Sequence, residues 1–382
     1  MSKAYDYIIT GAGCAGLSML MRILNEPTLN AKKILVIDEQ PKKDNDRTWC
    51  FWEKENDIFQ SIVHHEWKEI NFLSPNYSAQ LSIEPYTYKM IHGLDFYTHI
   101  INYAKGFASV EFIYEKVISI KNESNKAVVT TTNTIYEGEY IFNSILFAKP
   151  LINNKQFYLL QHFKGWVIET EKSVFNPAIA TFMDFTVSQQ HGTTFMYVLP
   201  TATNKALVEY TLFTEKLLQQ QDYETALQQY ITKTLGIEKF TITHTEFGII
   251  PMTNYKFPLQ EGNIINIGIA GGQAKGSSGY VFKNIQKRTS QIVELLVKNK
   301  QPFFTKNFTD KKFHLYDSVL LHVLHHKKMS GDAVFASIFK KNKSEIIFKF
   351  LDNESTLLED VKIMRSVPMH IFLPAAIKEM FR

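Results

Sequence analysis

The sequence predicts an α/β protein: a nucleotide-binding βαβ unit at its start, β-rich segments through its middle and helices at its end. Three observations carry that expectation. Gly11-Ala12-Gly13-Cys14-Ala15-Gly16 directly follows a short apolar strand, Tyr5–Thr10. Leu17, Leu20, Met21 and Leu24 then recur at i, i+3, i+4 and i+7, the stripe of a helix lying on a sheet. Lys33–Asp38 is a second apolar run, closed by the acidic pair Asp38-Glu39.

Strand, glycines, striped helix, second strand and terminal acid stand in the order a dinucleotide-binding unit requires. Gly11 permits the tight turn, Gly13 lets backbone approach a pyrophosphate, and Gly16 allows helix and strand to pack closely. The helix start offers free N–H groups and a positive dipole end to phosphates. Asp38 stands about 20 residues beyond the glycines, where an acceptor for a ribose hydroxyl belongs. An acid there disfavours a 2′-phosphate and suits FAD or NAD. Glu39 is its neighbour in the same role.

Beyond this unit the chain alternates between strand and helix patterns. Arg47-Thr48-Trp49-Cys50-Phe51-Trp52 follows a polar loop and reads either as an aromatic plug under that loop or as a wall near a flavin. Residues 66–92 alternate as strands around a Pro75-Asn76 turn, and Leu94–Ala104 is helical. Val110–Ser119, Ala127–Thr134 and Tyr140–Leu146 are further strands. Trp166–Thr170, Ala178–Phe185, Thr193–Leu199, Ala206–Leu212 and Thr243–Ile250 form a second β-rich group, the last stopped by Pro251. Residues 214–235 are helix-favouring. Ile264–Ile269 leads into a second glycine loop, Gly271-Gly272-Gln273 to Gly279, ahead of a helix from about Val281 to Asn299. That loop is a second anion cradle, so the nucleotide domain is expected to be discontinuous. It should comprise residues 1–65, 93–154 and 262–302, with a β-rich substrate domain at 66–92 and 155–261 and helices at 303–382.

The 382 residues allow about two domains with real cores. A net charge of +4 is too small to argue for nucleic acid but permits weak attraction to an anionic membrane surface. Cys14 and Cys50 are the only cysteines, which argues for a reducing compartment and against a disulfide framework. No apolar run reaches the length of a spanning helix. The 29 Phe and 18 Tyr fit a π-lined channel, but on composition alone a lineage bias toward such residues is the better reading.

The opening fingerprint, Asn45–Trp52, Gly165-Trp166, Met183-Asp184-Phe185, Phe195–Pro200, Ala206–Thr211, Glu246–Thr253 and Gly271–Phe282 together resemble the bacterial lycopene cyclases, in the family's order and over nearly the whole chain. The resemblance implies a glutathione-reductase-type, three-layer ββα FAD-binding domain with a β-sheet substrate domain and a helical C-terminal region. It also implies a redox-neutral reaction that uses reduced FAD, with NAD(P)H as an indirect electron source. The expected substrates are lycopene and other linear carotenoids. An acid protonates the terminal alkene of a ψ end, the neighbouring alkene closes a six-membered ring, and proton loss leaves a β end group. Both ends in turn give γ-carotene and β-carotene.

The parts can be sought residue by residue. Glu209 is the first candidate donor: Leu207, Glu209 and Thr211 share one strand face, and a carboxyl on an apolar face keeps its proton. The alternatives are an edge glutamate in water or one paired with Lys205 or Arg47. Glu246 is the second candidate carboxyl, or else a structural acid bonded to backbone N–H groups. Arg47, Gly271, Gly272, Gln273 and Gly279 are expected at the cofactor, and Trp49, Trp52, Tyr197 and Tyr210 along a substrate tunnel.

The chain departs from the flavin hydroxylases, which place Gly-Asp where Gly272-Gln273 stands, and it has no Asp-Gly pair near 143–151. Both departures weigh against a monooxygenase. A prenyl-lipid reductase of the same fold and a non-catalytic flavin or carotenoid carrier are the other readings. His322, His325 and His326 have helical spacing, but the lysines after them suit a solvated or membrane-facing helix end, and no metal is assigned. Phe372, Leu373, Ile377, Met380 and Phe381 beside lysines suit contact with the cytoplasmic face of a membrane, or ordinary packing.

Overall fold

A computed structural model describes residues 3–123 and 126–382; residues 1–2 and 124–125, within the expected nucleotide domain, lie outside the described residues. The chain opens with β1 (Lys3–Thr10), α1 (Cys14–Leu24), β2 (Ile34–Asp38), β3 (Thr48–Glu53), β4 (His65–Trp67), β5 (Glu69–Leu73), β6 (Ala79–Ser82), β7 (Thr87–His92) and α2 (Gly93–Ala104). It continues through β8 (Val110–Tyr114), β9 (Val117–Glu123), β10 (Lys126–Thr131), β11 (Ile135–Asn143), β12 (Tyr158–Glu169), β13 (Ile179–Asp184), β14 (Thr193–Ala202), β15 (Lys205–Thr214) and α3 (Gln220–Gln229). The last part holds β16 (Thr241–Thr253), β17 (Gln260–Glu261), β18 (Ile264–Asn266), α4 (Phe282–Val297), α5 (Phe308–His325), α6 (Gly331–Lys341), α7 (Ser344–Leu351), α8 (Leu357–Ser366) and α9 (Met369–Met380).

The first sheet runs β17-β18-β11-β1-β2-β8, with β11, β1, β2 and β8 parallel and the β9–β10 meander attached to β11. Side chains alternate along the inner part of β1: Tyr7 and Ile9 pack under α1, α2 and α4, while Ile8 between them meets Val117, Ala127 and Val129 of the meander. Helices on one face and strands on the other make the three-layer ββα arrangement.

The second sheet runs β16-β12-β15-β14-β13-β5-β6. Its back face packs on α3 and the π turn after it through Val208, Tyr210 and Leu212 against Tyr223, Leu227 and Ile231. Its front face, with Phe182, Tyr197 and Leu207, meets Phe335, Phe339 and Phe348 of the C-terminal helices. A small third sheet, β3-β7-β4, stands between the two larger ones.

Three local expectations change. The strand at 241–253 runs through Pro251 instead of stopping at it, because β16 is the sheet edge and a missing N–H costs no ladder bond on the outer side. The helix expected at 214–235 starts only at Gln220, where Gln219 and Asp222 form a capping box, and it ends in a π turn at Tyr230–Thr234. His322 is fully buried and bonds Glu379 of α9 at 2.7 Å, so the histidine end of α5 is tied into the helical core at that residue.

Candidate active site

The fingerprint glycines come together at the start of α1. Gly11 takes φ +90°, open to glycine and strained for a side chain. A Cβ on Gly16 would stand 1.9 Å from the Gly11 carbonyl, so only glycine lets the helix sit this close to the turn. A Cβ on Gly13 would meet nothing within 4 Å, and this position opens onto free space. Neither α1 nor α4 has a side-chain cap at its N-terminus, which leaves the first-turn N–H groups for an anion. This geometry fits a dinucleotide pyrophosphate. Asp38 accepts the Ala12 N–H at 2.7 Å and pairs with Lys42 at 3.2 Å, while Glu39 is exposed and faces Lys116 at 3.9 Å.

The second glycine loop is equally dependent on glycine. Gly272 and Gly279 have φ of +69° and +72°, and a Cβ on Gly271 would stand 2.3 Å from the Asn266 carbonyl. Gln273 is buried. Its Oε1 accepts the Gly268 N–H at 2.6 Å, and its Nε2 has no partner among the described residues.

The two candidate carboxyls meet on the second sheet. Gly165 of β12 is in register with Glu209 of β15 on one side and with Glu246 of β16 on the other. Tyr197 of β14 is in register with Glu209, so one row across the sheet reads Glu246, Gly165, Glu209, Tyr197. The glycine makes the pair possible. A Cβ there would stand 2.9 Å from Leu207 Cδ1 and 3.0 Å from Glu246 Cγ. Without it the two side chains lean over the bare backbone, close enough for each carboxyl to shift the other's proton affinity.

This row floors a cavity of about 90 Å³. Its other walls are Thr48, Trp49, Cys50 and Tyr88 from β3 and β7, and Gly279–Phe282 at the start of α4. Glu246 is buried; Glu209 is half-buried, with its free surface turned into the cavity and protein atoms enclosing the carboxyl. Burial first, and then the charge of Glu246, hold the Glu209 carboxyl well above the usual carboxylate range, against the pull of the Thr211 hydroxyl at 2.7 Å. Burial pushes Glu246 up to about 7, with Thr48, Glu209 and Arg47 acting in the opposite direction. Both carboxyls are thus pushed toward the protonated, uncharged form. Burial also raises Cys50, Tyr88, Tyr197 and Tyr280, so the walls are uncharged. Glu246 Oε2 and Gln161 Oε1 are buried without partners among the described residues.

The other expected residues divide. Trp49 lines the chamber and packs on Phe96, Tyr97 and Phe282. Arg47 sits at the exposed rim, its Nη1 bonding the Phe247 carbonyl at 3.2 Å. Lys205 pairs with Glu169 instead of Glu209. Trp52 is not a chamber wall: it lies behind Tyr280, in contact with Phe182 and Phe348. Tyr210 is not one either. It follows Glu209 on the strand, so it points to the opposite face, onto Tyr223. Sequence reasoning assigned no role to Gly165, Thr48, Gln161 or Tyr280. A glycine inside a strand signals close approach by a neighbour, and Gly165 carried that signal.

Fold and site together define a protein of the FAD-dependent oxidoreductase fold with a buried carboxyl pair set against the nucleotide half. Solved structures agree on the fold. A geranylgeranyl bacteriochlorophyll reductase-like protein of Thermoplasma acidophilum superposes with a TM-score of 0.60 at 13% identity, covering 100% of this chain and 99% of that one. HpxO of Klebsiella pneumoniae, complexed with FAD, gives 0.63 at 12% identity over 92% and 98%. A flavoprotein/dehydrogenase of Cytophaga hutchinsonii gives 0.61 at 12% over 99% and 99%.

Sequence comparison is narrower. The family model described as lycopene cyclase protein matches residues 6–376, and the chain belongs to that family. A lycopene beta-cyclase of Pantoea ananas is 25% identical over 276 residues, 66% of this chain and 64% of that protein, so the match spans just under two thirds of the relative.

Proposed function

We propose that this protein is an FAD-dependent, redox-neutral carotenoid cyclase that closes the ψ ends of lycopene into β-ionone rings while resting on a membrane surface. The observation that supports it most is the pairing of Glu209 with Glu246 at Gly165, enclosed by largely aromatic walls. The family membership and the dinucleotide cradle point the same way.

The chain supplies each proton step. Glu209 gives its hydrogen to the terminal alkene, forming a C–H bond and a tertiary cation. The neighbouring alkene attacks that cation, a C–C bond closes the ring, and the positive charge moves into it. A ring C–H then returns its proton to the ionised carboxyl pair, leaving a ring double bond and the pair as it began. No atom is gained or lost. A carboxylic acid alone contributes only about 10²–10⁴-fold to such a transfer. The remainder comes from stabilising the cation, for which the Trp49 face and the Glu246 carboxylate are in place. FAD held by Gly11, Gly13, Gly16 and the Gly271–Gly279 loop supplies, when reduced, an electron-rich ring system that favours a nearby positive charge. Among the described residues no helix is long and apolar enough to cross a membrane. Exposed Leu373, Ile377, Met380 and Phe381 on and just after α9 suit contact with lipid.

The test is lycopene in liposomes with the flavin-loaded protein under reducing, oxygen-free conditions. Products of unchanged mass with a shortened polyene absorption support the cyclase. Added oxygen or hydrogen in the product would assign a monooxygenase or a reductase, and stoichiometric binding without turnover a carrier.

A further inference from the structure

The chamber over the carboxyl pair, at about 90 Å³, falls below the roughly 300–1,000 Å³ typical of ligand pockets and has room only for the reacting end of a long chain. A second cavity, of about 330 Å³, lies among α5–α9. Its lining is apolar, with Leu320, Ile338, Phe339, Ile363 and Phe372 prominent. Of its polar liners, Tyr316 donates to Asp360 and Asp317 accepts from Lys275, so both are already engaged; Ser277 adds one hydroxyl. A ligand here is offered almost no hydrogen bond. It must itself be nearly free of polar groups.

Phe182 stands between aromatic walls of the two cavities. Phe182 is fully buried, and its ring lies 5.4 Å from Tyr88, 6.1 Å from Tyr197 and 6.2 Å from Tyr280, all walls of the carboxyl chamber. On its other side it lies 6.3 Å from Phe339, a wall of the helical cavity. At the outer end, Met369, Leu373 and Met380 line the cavity and are 47%, 50% and 63% exposed. The cavity thus has an apolar lip on the surface and an aromatic partition toward the acid.

We propose that the helical cavity is the berth for the body of a long polyene hydrocarbon, entered from lipid across the α9 lip, with Phe182 as the movable partition through which its end reaches Glu209. This rests on the carotenoid reading above. A chain held here keeps its middle in an apolar environment while only the reacting end passes Phe182, which accounts for two cavities of such different size and polarity.

The test uses the flavin-loaded protein and two readouts that need no turnover. A long-chain alkane bearing a diazirine, photolysed in the complex and mapped by peptide mass spectrometry, should label α5, α6 and α9. Ala376→Trp and Ile338→Trp, which fill the cavity, should weaken lycopene binding, read from its absorption shift, by tenfold or more, while Ala376→Val binds as the native protein does. Labelling elsewhere, or Trp variants that keep their flavin and bind lycopene undiminished, would overturn the berth. If a Trp variant loses its flavin, the labelling pattern decides. Labelled α5–α9 with unchanged lycopene would leave the berth standing and remove the cyclase reading. Cyclisation with undiminished Trp variants would do the reverse.

Discussion

The two large sheets build their sites in opposite ways. The parallel sheet works with backbone: glycines that bare the start of α1, and N–H groups left uncapped. All of it lies within Gly11–Asp38 and the loop ahead of α4. The antiparallel sheet works with side chains brought together by register: Glu209 and Glu246 are neighbours only because both strands pair with β12 at Gly165. A backbone site is local in the chain and tolerates much around it. A register site depends on three strands at once, and a single added methyl can spread it.

The largest effect should come from the backbone site. At Gly13 a side chain meets no protein atom, so Gly13→Val should fold and melt like the flavin-free native protein yet fill the space the pyrophosphate needs. It should be isolated colourless and inactive. At Gly16 a Cβ collides with the Gly11 carbonyl, so Gly16→Val should fail earlier, as lost soluble protein. A yellow, flavin-loaded Gly13→Val would break the contrast.

Next comes the donor. Glu209→Gln keeps the size and the Thr211 contact but has no acidic proton. Lycopene cyclisation should fall by about 10²–10⁴-fold with flavin content unchanged. A variant retaining half its activity would remove Glu209 from the chemistry.

Gly165 tests register itself. In Gly165→Ala the new methyl presses on Leu207 and on the Glu246 stem, and the carboxyls must part. A misplacement near 1 Å costs on the order of 10²-fold when geometry governs the rate. The loss should appear in kcat, with flavin binding intact. Unchanged kcat would mean that the pair does not act as a pair.

These contrasts also explain what could be read from the chain. The βαβ unit was legible because its signals are consecutive, and the three-layer fold followed from the resemblance. Glu209 was legible as a lone acid in an apolar strand. Its partnership with Glu246 was not, because pairing register is a property of strands far apart in sequence. Tyr210 faces away from the chamber, and Trp52 lies behind Tyr280, for a related reason. Composition brings an aromatic residue near a site, but strand alternation and neighbouring rings decide which way it faces. Phe182 gave no signal at all, since one buried phenylalanine among 29 looks like any other until two cavities appear on its sides.

The smallest expected effect separates the two carboxyls by stability. Glu246 is raised from 4.5 to about 7, mainly by burial. Between those values the folded protein holds a proton that the unfolded chain has released, so folding stability falls as pH rises through this window. At about 1.4 kcal/mol per pH unit the loss is at most about 3 kcal/mol at pH 8. Glu246→Gln carries no such charge. It should therefore gain little at pH 5 and about 1–3 kcal/mol at pH 8 relative to the native protein, measured by denaturant unfolding at each pH. The cost of ionising Glu246 inside the chamber is the same charge that keeps the proton on Glu209, so the stabilised variant should also cyclise more slowly at pH 8. A stability difference that stays constant from pH 5 to pH 8 would show that Glu246 meets water in the folded state and that the pair is not closed off.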